Sequence, residues 1–275
     1  MTAWLRVTGF NLFFYAYTFG VAMSLWALAR FSTRARMQRL CQSWGRTVRV
    51  AVRLFLKGRI EVRGLEKVPR DGRVLLVSKH QSELDIVMLA ALFPTVSAVA
   101  MEELKRYPFF GPILEGLDVV MVAVDSGPQG RTRQVVEGAE RIFAQGRPMV
   151  IYPEGELMKL GARERYRRGA GHIYTQCSAT AVPIAKSLGV IWPQRQWRKN
   201  IGRRAAIEIL DPIPPGLDLD TFMAEIERRI EDATMDLVRE HADAEELAAA
   251  EARFARRVNN HDTVPERPGP ERTAS

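Results

Sequence analysis

The sequence predicts an α/β domain in which strands alternate with helices, preceded by two helices that associate with a membrane. Short apolar runs, such as residues 74–78, alternate with segments whose apolar residues recur at helical spacing, which is typical of layered α/β domains. The N-terminal part differs, because residues 7–29 contain no charged side chain. The chain has 275 residues, of which 47% are apolar, enough for one sizeable core and a small appendage.

The uncharged segment 7–29 is long enough to cross a bilayer, since a helix of this length reaches roughly 34 Å. Arginines follow it, beginning with Arg30, and they favour a membrane anchor over a cleaved signal peptide and a cytoplasmic position for the domain that follows. Residues 36–57 form a second predicted helix with an apolar and a basic face. Such a helix lies in the membrane interface or packs on the domain surface. Two arrangements stay open: a first helix that spans the bilayer, and a helical hairpin that enters one leaflet.

We expect three regions: anchoring helices in residues 1–57, an α/β domain in residues 58–241, and a C-terminal extension in residues 242–275. The spacing predicts strands at 59–62, 74–78, 96–100, 119–124, 149–152, 181–185 and 205–210, and helices at 82–92, 102–106, 131–145, 221–241 and 244–257. From about residue 259 the chain is rich in Pro, Thr and charged residues, which predicts a disordered tail without a catalytic part.

The charge distribution favours an anionic partner. The net charge is +8, and residues 131–204 hold fifteen Lys or Arg against five Asp or Glu. A membrane surface, a phosphorylated substrate or nucleic acid would fit, and a solvated basic face is the alternative. Trp192 and Trp197 flank Arg195 and Arg198, a mixture that suits single-stranded nucleic acid or a membrane interface. Because the apolar first helix has no use in a nucleic-acid-binding protein, we expect the membrane and no nucleic acid.

The two cysteines, Cys41 and Cys177, lie in no metal-binding spacing and give little support to a disulfide framework or a zinc site. We therefore expect no metal and no cofactor.

A histidine and an aspartate follow the predicted buried strand 74–78. His80 comes directly after that strand, at the rim where α/β proteins usually build their sites, and Asp85 lies in the first turn of the next helix. An imidazole can act as general base near neutral pH, and a carboxylate bonded to one ring nitrogen leaves the other free to take a proton. Alternatively, Ser82 and Asp85 form a helix capping box with no catalytic role. The spacing alone leaves both interpretations open.

A second polar turn follows the predicted strand 149–152. Here Pro153 fixes the backbone, Glu154 supplies a carboxylate, and Gly155 permits a positive φ or a close approach. Glu154 is suited to bind an acceptor hydroxyl or to cap a helix. Strands often end in Pro or Gly, so this turn indicates a functional site only in combination with His80 and Asp85.

Taken together, these motifs resemble the lysophosphatidic acid acyltransferases, the 1-acyl-glycerol-3-phosphate acyltransferase family. The resemblance covers residues 59–211 and includes EVRGLEKVP, KHQSELD, ELKRYPFFG, YPEG, the step from Arg167 to Gly169, AVPIA and DPIPPG. It implies an acyltransferase-type layered mixed sheet with flanking helices. It also implies that His80 deprotonates an acceptor hydroxyl, which attacks the thioester of acyl-CoA or acyl carrier protein directly, and that Asp85 orients His80. Glu154 and Gly155 would belong to the acceptor site.

Three basic residues that the family uses near the acceptor phosphate are replaced here by Met101, Val124 and Leu157. Other cations are candidates to bind the phosphate instead, among them Arg131, Arg167 and Arg168. We therefore expect a phospholipid-synthesising acyltransferase that acts on 1-acyl-glycerol-3-phosphate. A different lysolipid or hydroxyl-bearing lipid is the alternative acceptor, and a catalytically idle lipid-binding membrane protein is the second alternative.

Overall fold

One seven-stranded sheet forms the centre of the molecule, a computed structural model that describes residues 2–107 and 109–256. The strands are β1 (Arg59–Arg63), β2 (Val74–Ser78), β3 (Ser97–Met101), β4 (Val120–Val122), β5 (Met149–Ile151), β6 (Thr180–Lys186) and β7 (Arg204–Ile209). Their order across the sheet is β1-β7-β6-β2-β5-β3-β4, and every neighbouring pair is parallel except β6 with β7. The carboxyl ends of β2 to β6 therefore meet at one edge.

Helices cover both faces of this sheet, which confirms the predicted layered mixed α/β fold. They are α1 (Ala3–Phe31), α2 (Arg34–Phe55), α3 (Leu84–Leu92), α4 (Phe110–Gly116), α5 (Gly127–Phe143), α6 (Gly169–Gln176), α7 (Leu219–His241) and α8 (Ala244–Arg256). The core between the sheet and α1, α2 and α3 lies on one face, and the core with α5, α6 and α7 lies on the other. β2 is buried at all five positions, as expected of a strand covered on both faces.

The second helix packs on the domain, as one of its two predicted placements requires. A side chain at Gly45 of α2 would meet the carbonyl oxygen of Val87 in α3 at 2.5 Å, so only glycine allows this close approach. The apolar face of α2, which includes Val48 and Val52, is buried, whereas Arg46 faces solvent. The structure thus shows α2 joined to the sheet through α3.

The first helix lies along the domain surface and packs against it from both of its halves. Phe10 contacts Trp192 edge-to-face at a ring separation of 5.5 Å, and Trp26 contacts Phe109 in the same way at 5.5 Å. α1 is the one described helix that is long and apolar enough to cross a bilayer, and 11% of its most apolar window is buried. Its outer face therefore exposes a long apolar surface.

The observed elements differ from the predicted ones mainly where glycine and proline occur. α4 and α6 were not predicted, because α4 contains Gly111 and Pro112 and α6 contains two glycines, residues with low helix propensity. α5 begins at Gly127, four residues earlier than predicted, since Pro128 suits the first turn of a helix. α8 occupies nearly all of the predicted segment 244–257, and the predicted disordered tail lies outside the described residues.

Candidate active site

The strand β2 places His80 at the carboxyl edge of the sheet, where the sequence predicted it. The backbone N–H of Lys79 donates to the carbonyl of Ile184 at 3.0 Å, which continues the sheet pairing up to the residue before His80. α3 starts four residues after His80 and carries Asp85 in its first turn. Nδ1 of His80 and Oδ2 of Asp85 are 2.9 Å apart, the distance of a hydrogen bond. The predicted pair is therefore in contact.

Asp85 also accepts hydrogen bonds from the turn that precedes its helix, although α3 has no side-chain hydrogen bond at its N-cap residue, Glu83. Its Oδ2 accepts from the backbone N–H groups of Gln81 at 2.7 Å and Ser82 at 3.0 Å, in addition to His80. These bonds fix the carboxylate in one orientation. Because Nδ1–H then points at the carboxylate, Nε2 is the ring nitrogen that can take a proton.

A buried lysine lies on the other side of Asp85. Nζ of Lys186, at the end of β6, is 3.6 Å from Oδ1 of Asp85, and both side chains are almost fully buried. Burial alone would raise the pKa of Asp85, but Lys186 and the hydrogen bond from His80 outweigh burial and hold that pKa below its usual range. Burial lowers the pKa of Lys186, although Asp85 acts in the opposite direction. Asp85 is therefore held as a carboxylate.

The His80 ring is held from its face as well as from its Nδ1 edge. It stacks on Tyr152 with ring centroids 4.1 Å apart and 21° between the planes. Nζ of Lys186 lies 5.1 Å from the centre of the same Tyr152 ring. His80 keeps 14% of its side chain exposed, so solutes reach it from one side. Packing on Tyr152 and the bond to Asp85 therefore fix the ring, and Nε2 is the ring nitrogen that has no hydrogen-bond partner among the described residues.

Glu154 is buried against the turn that holds His80. Its Oε1 is 3.3 Å from Nζ of Lys79 and 3.4 Å from the backbone nitrogen of His80, and its side chain has no exposed surface. Burial raises the pKa of Glu154, and Lys79 partly offsets this rise. Lys79 also pairs with Glu231 of α7 at 2.7 Å, and the hydroxyl of Tyr166 donates to the same Glu231 oxygen at 2.9 Å. These bonds tie the turn after β5 to the turn after β2.

Gly155 and Arg167 are also brought together. Gly155 has φ +75°, and a side chain there would lie 2.4 Å from Cζ of Arg167. The backbone N–H of Arg167 donates to the carbonyl of Pro153 at 2.8 Å, which fixes this arginine over the turn. Within residues 2–107 and 109–256, its guanidinium forms no hydrogen bond or ion pair with protein and stays exposed. Arg167 therefore offers a free cation beside the turn.

The two other predicted binding arginines have different surroundings. Arg168 pairs with Asp220 at 2.7 Å near the start of α7. Arg131 lies near the start of α5, half-buried and without an ion pair to the described part of the chain. Of the three arginines, Arg167 is the one in contact with the Glu154–Gly155 turn.

Four residues that support this site were not predicted from the sequence: Lys79, Tyr152, Lys186 and Glu231. Lys79 and Tyr152 were visible as neighbours of the two motifs, and Lys186 as a charge at the end of a predicted buried strand. Glu231 gave no such signal, because a glutamate in an amphipathic helix is usually solvated.

The part of the chain that carries the candidate site matches a known protein family. Residues 59–187, which carry His80, Asp85, Glu154 and Gly155, match the family model described as Acyltransferase. This match covers slightly less than half of the chain and confirms the resemblance found in the sequence.

Two similar proteins are named 1-acyl-sn-glycerol-3-phosphate acyltransferases. The chain is 33% identical over 170 residues to a 1-acyl-sn-glycerol-3-phosphate acyltransferase of Pseudomonas aeruginosa, over 62% of this chain and 65% of that protein. It is 28% identical over 173 residues to the 1-acyl-sn-glycerol-3-phosphate acyltransferase alpha of Bos taurus, over 62% and 60% of the two chains. The chain thus spans slightly less than two thirds of the length of these two relatives.

A solved structure shares the fold. The crystal structure of the 1-acyl-sn-glycerophosphate (LPA) acyltransferase PlsC from Thermotoga maritima superimposes with a TM-score of 0.70 over 86% of this chain and 98% of that chain, at 18% identity.

Proposed function

We propose that this chain transfers a fatty acyl group from acyl-CoA or acyl carrier protein to the free hydroxyl of 1-acyl-glycerol-3-phosphate and so forms phosphatidic acid. The observation that carries the proposal is the contact between His80 and Asp85, with part of the His80 side chain exposed, inside a segment that matches the acyltransferase family model. The names of the relatives supply the acceptor, and acylation of its free hydroxyl gives the product.

The reaction needs one base and no covalent intermediate with the protein. Nε2 of His80 takes the proton of the acceptor hydroxyl as the hydroxyl oxygen bonds to the thioester carbonyl carbon. The carbon–sulfur bond then breaks, and the imidazolium returns the proton to the departing thiolate, which leaves an ester and a free thiol. Asp85 stabilises the imidazolium between these two steps, because it stays ionised and bonded to Nδ1.

The acceptor phosphate would bind at Arg167. This guanidinium is exposed, forms no ion pair with the described residues and lies against the Gly155 backbone beside the site. An arginine can bind a phosphate through two parallel hydrogen bonds. Arg131 and Arg168 are further candidates, with Arg168 first having to leave Asp220. Since Met101, Val124 and Leu157 replace family cations, a different lysolipid acceptor is the second candidate function.

The apolar outer face of α1 supports membrane association. α1 contacts the domain near both of its ends, so the helix would lie along the bilayer surface with its outer face in one leaflet. We propose the cytoplasmic membrane, with the catalytic domain on the cytoplasmic side, as the location. The arginines after α1, which favour retention in the cytoplasm, support this side.

A thiol-release assay with acyl-CoA or acyl carrier protein and a panel of lysolipids tests the proposal. We expect turnover with 1-acyl-glycerol-3-phosphate, and a loss of about 10²–10⁴-fold in kcat for His80→Ala because the general base is gone. Arg167→Ala should raise KM for phosphate-bearing acceptors, whereas Arg133→Ala, at an exposed arginine of α5 that pairs with Glu137, should not.

Each result discriminates among the three functions. Turnover with another lysolipid but not with 1-acyl-glycerol-3-phosphate would favour the second acceptor. A lack of turnover with every acceptor and both donors would favour an idle lipid-binding protein. Turnover that persists in His80→Ala would contradict the proposed mechanism.

A further inference from the structure

A second surface besides α1 exposes an aromatic side chain next to unpaired cations. We call residues 193–199, between a short 3-10 turn and β7, the Trp197 loop. Trp197 is 57% exposed, although tryptophan is usually well buried in soluble proteins. Trp192, which the sequence analysis placed at the membrane with Trp197, is instead buried against Phe10 and Phe14. Only one member of the tryptophan pair therefore faces outward.

The Trp197 loop forms one continuous surface with α1. The ring of Trp197 stacks on Tyr15 of α1 with centroids 5.8 Å apart and 8° between the planes. Nδ2 of Asn11 donates to the carbonyl of Trp197 at 3.0 Å, so the backbone of the loop is fixed to the same helix. On α1, the exposed apolar side chains of Leu12 and Phe19 lie at positions i−3 and i+4 from Tyr15, on the same helix face.

The loop also carries positive charge that the protein does not neutralise. Arg195 and Arg198 are exposed, and neither guanidinium forms a hydrogen bond or ion pair with residues 2–107 or 109–256. Lys199 is different, because it is buried against Trp192 and burial lowers its pKa to about 8. Two free arginines beside an exposed tryptophan match the chemistry of an anionic membrane surface, where aromatic rings lie at headgroup level.

We propose that the Trp197 loop is a lipid-binding surface that docks on negatively charged headgroups, with Trp197 entering the interface and Arg195 and Arg198 contacting phosphates. The loop and the outer face of α1 would bind the same leaflet, because they form one surface. The headgroup contacts of the loop require anionic lipid, whereas the apolar contacts of α1 do not.

The loop and Trp192, the residue before it, each form one hydrogen bond with the segment between His80 and Asp85. The backbone N–H of Arg195 donates to Oε1 of Glu83 at 2.8 Å, and the hydroxyl of Ser82 donates to the carbonyl of Trp192 at 2.7 Å. Ser82 and Glu83 lie between His80 and Asp85 in the chain. If the proposed function is correct, on which this step rests, docking of the loop brings His80 to the membrane surface where a lipid acceptor resides.

Vesicle binding tests the surface without any turnover. The full-length protein, diluted from detergent, is sedimented with vesicles of phosphatidylcholine alone or mixed with phosphatidylglycerol. The double variant Arg195→Glu/Arg198→Glu should bind the anionic vesicles about 30-fold more weakly, given the usual contribution of each basic residue near such a surface. Its binding to neutral vesicles should change little, since α1 is intact.

A matched control removes the effect of net charge. Arg133→Glu/Arg228→Glu makes the same charge change with two exposed arginines on the opposite face of the sheet, on α5 and α7. It should bind both vesicle types within about twofold of the parent protein. Equal losses in the two double variants, or no loss in the loop variant, would overturn the proposal.

Trp197 gives a second measurement that does not depend on the arginines. Brominated lipids quench tryptophans that enter the interface, and Trp197→Phe should remove the share of the quenching that comes from Trp197 while it keeps an aromatic ring against Tyr15. The exposed Trp4 of α1 should supply quenching that remains in this variant. Unchanged quenching in Trp197→Phe would place Trp197 outside the bilayer and contradict the proposed docking. Both measurements test lipid binding by the Trp197 loop even if no acyl transfer is found.

Discussion

The ion pair between Lys186 and Asp85 should make a large contribution to stability, and Lys186→Met tests it. At an effective dielectric constant of about 20, two unit charges at their 3.6 Å separation attract by about 5 kcal/mol. The burial that lowers the pKa of Lys186 offsets part of this attraction. Since removal of one member of a buried pair costs about 3–5 kcal/mol, we expect Lys186→Met to lose about 3 kcal/mol of unfolding free energy at pH 7.

The pH dependence separates this charge effect from a packing effect. Because the pKa of Asp85 lies below its usual range in the folded protein, its contribution is present above the unfolded pKa of about 4 and is lost as the pH falls through the folded value. The stability difference between the parent protein and Lys186→Met should therefore shrink as the pH falls below about 4. A packing defect would give a difference that does not depend on pH.

Urea unfolding in a mild detergent, followed by circular dichroism between pH 3 and pH 8, measures this difference. Lys159→Met is the control, because Lys159 is exposed and forms no ion pair with the described residues; it should change stability by less than about 0.5 kcal/mol. The reasoning is refuted if Lys186→Met matches the parent protein at pH 7, or if its deficit is the same at pH 3 as at pH 7.

Two glycine replacements test the close approaches described above. Gly155→Ala should lower the unfolding free energy by about 1–3 kcal/mol, because a side chain at φ +75° strains the backbone. It should also raise KM for the acceptor, because the new side chain would displace Arg167. The control Gly146→Ala, at φ +66° with open space around it, should lose unfolding free energy without a change in KM. Gly45→Ala should lower the melting temperature in thermal unfolding, because its methyl group would lie 2.5 Å from the α3 backbone. The control Gly20→Ala in α1, whose methyl group would meet nothing within 4 Å, should be neutral or stabilising by about 1 kcal/mol. An equal KM change in both positive-φ variants, or an unchanged melting temperature in Gly45→Ala, would contradict these expectations.

Much of the fold followed from local sequence pattern, because each buried strand and each long amphipathic helix carries its own signal. The strand at Val74–Ser78 was predicted with the bounds that the structure shows, since all five residues are buried. The contact between His80 and Asp85 also followed from local spacing, because a turn and the first turn of a helix bring residues five apart together. These features depend on neighbours in the chain.

Features that depend on distant partners could not be predicted. Trp192 and Trp197 lie in the same apolar and basic stretch, yet one is buried by α1 and the other is exposed, which depends on how α1 crosses the domain. Similarly, Lys186 lies at the end of β6 and Asp85 lies in α3, and nothing near either residue in the sequence marks the pair. The buried charged pairs around the site therefore became visible only in the structure.

The bond between Lys79 and Glu231 joins residues 152 positions apart in the chain. Translation proceeds from the N-terminus, so α1 emerges early and is available to the membrane while α7 has yet to be made. Until Glu231 has left the ribosome, Lys79 lacks the nearer of its two carboxylate partners, and the turn that holds His80 lacks its support from α7. Under the proposed function and location, the chain would therefore attach to the bilayer before the turn that holds His80 is complete, and the nascent protein would stay inactive until Glu231 is in place.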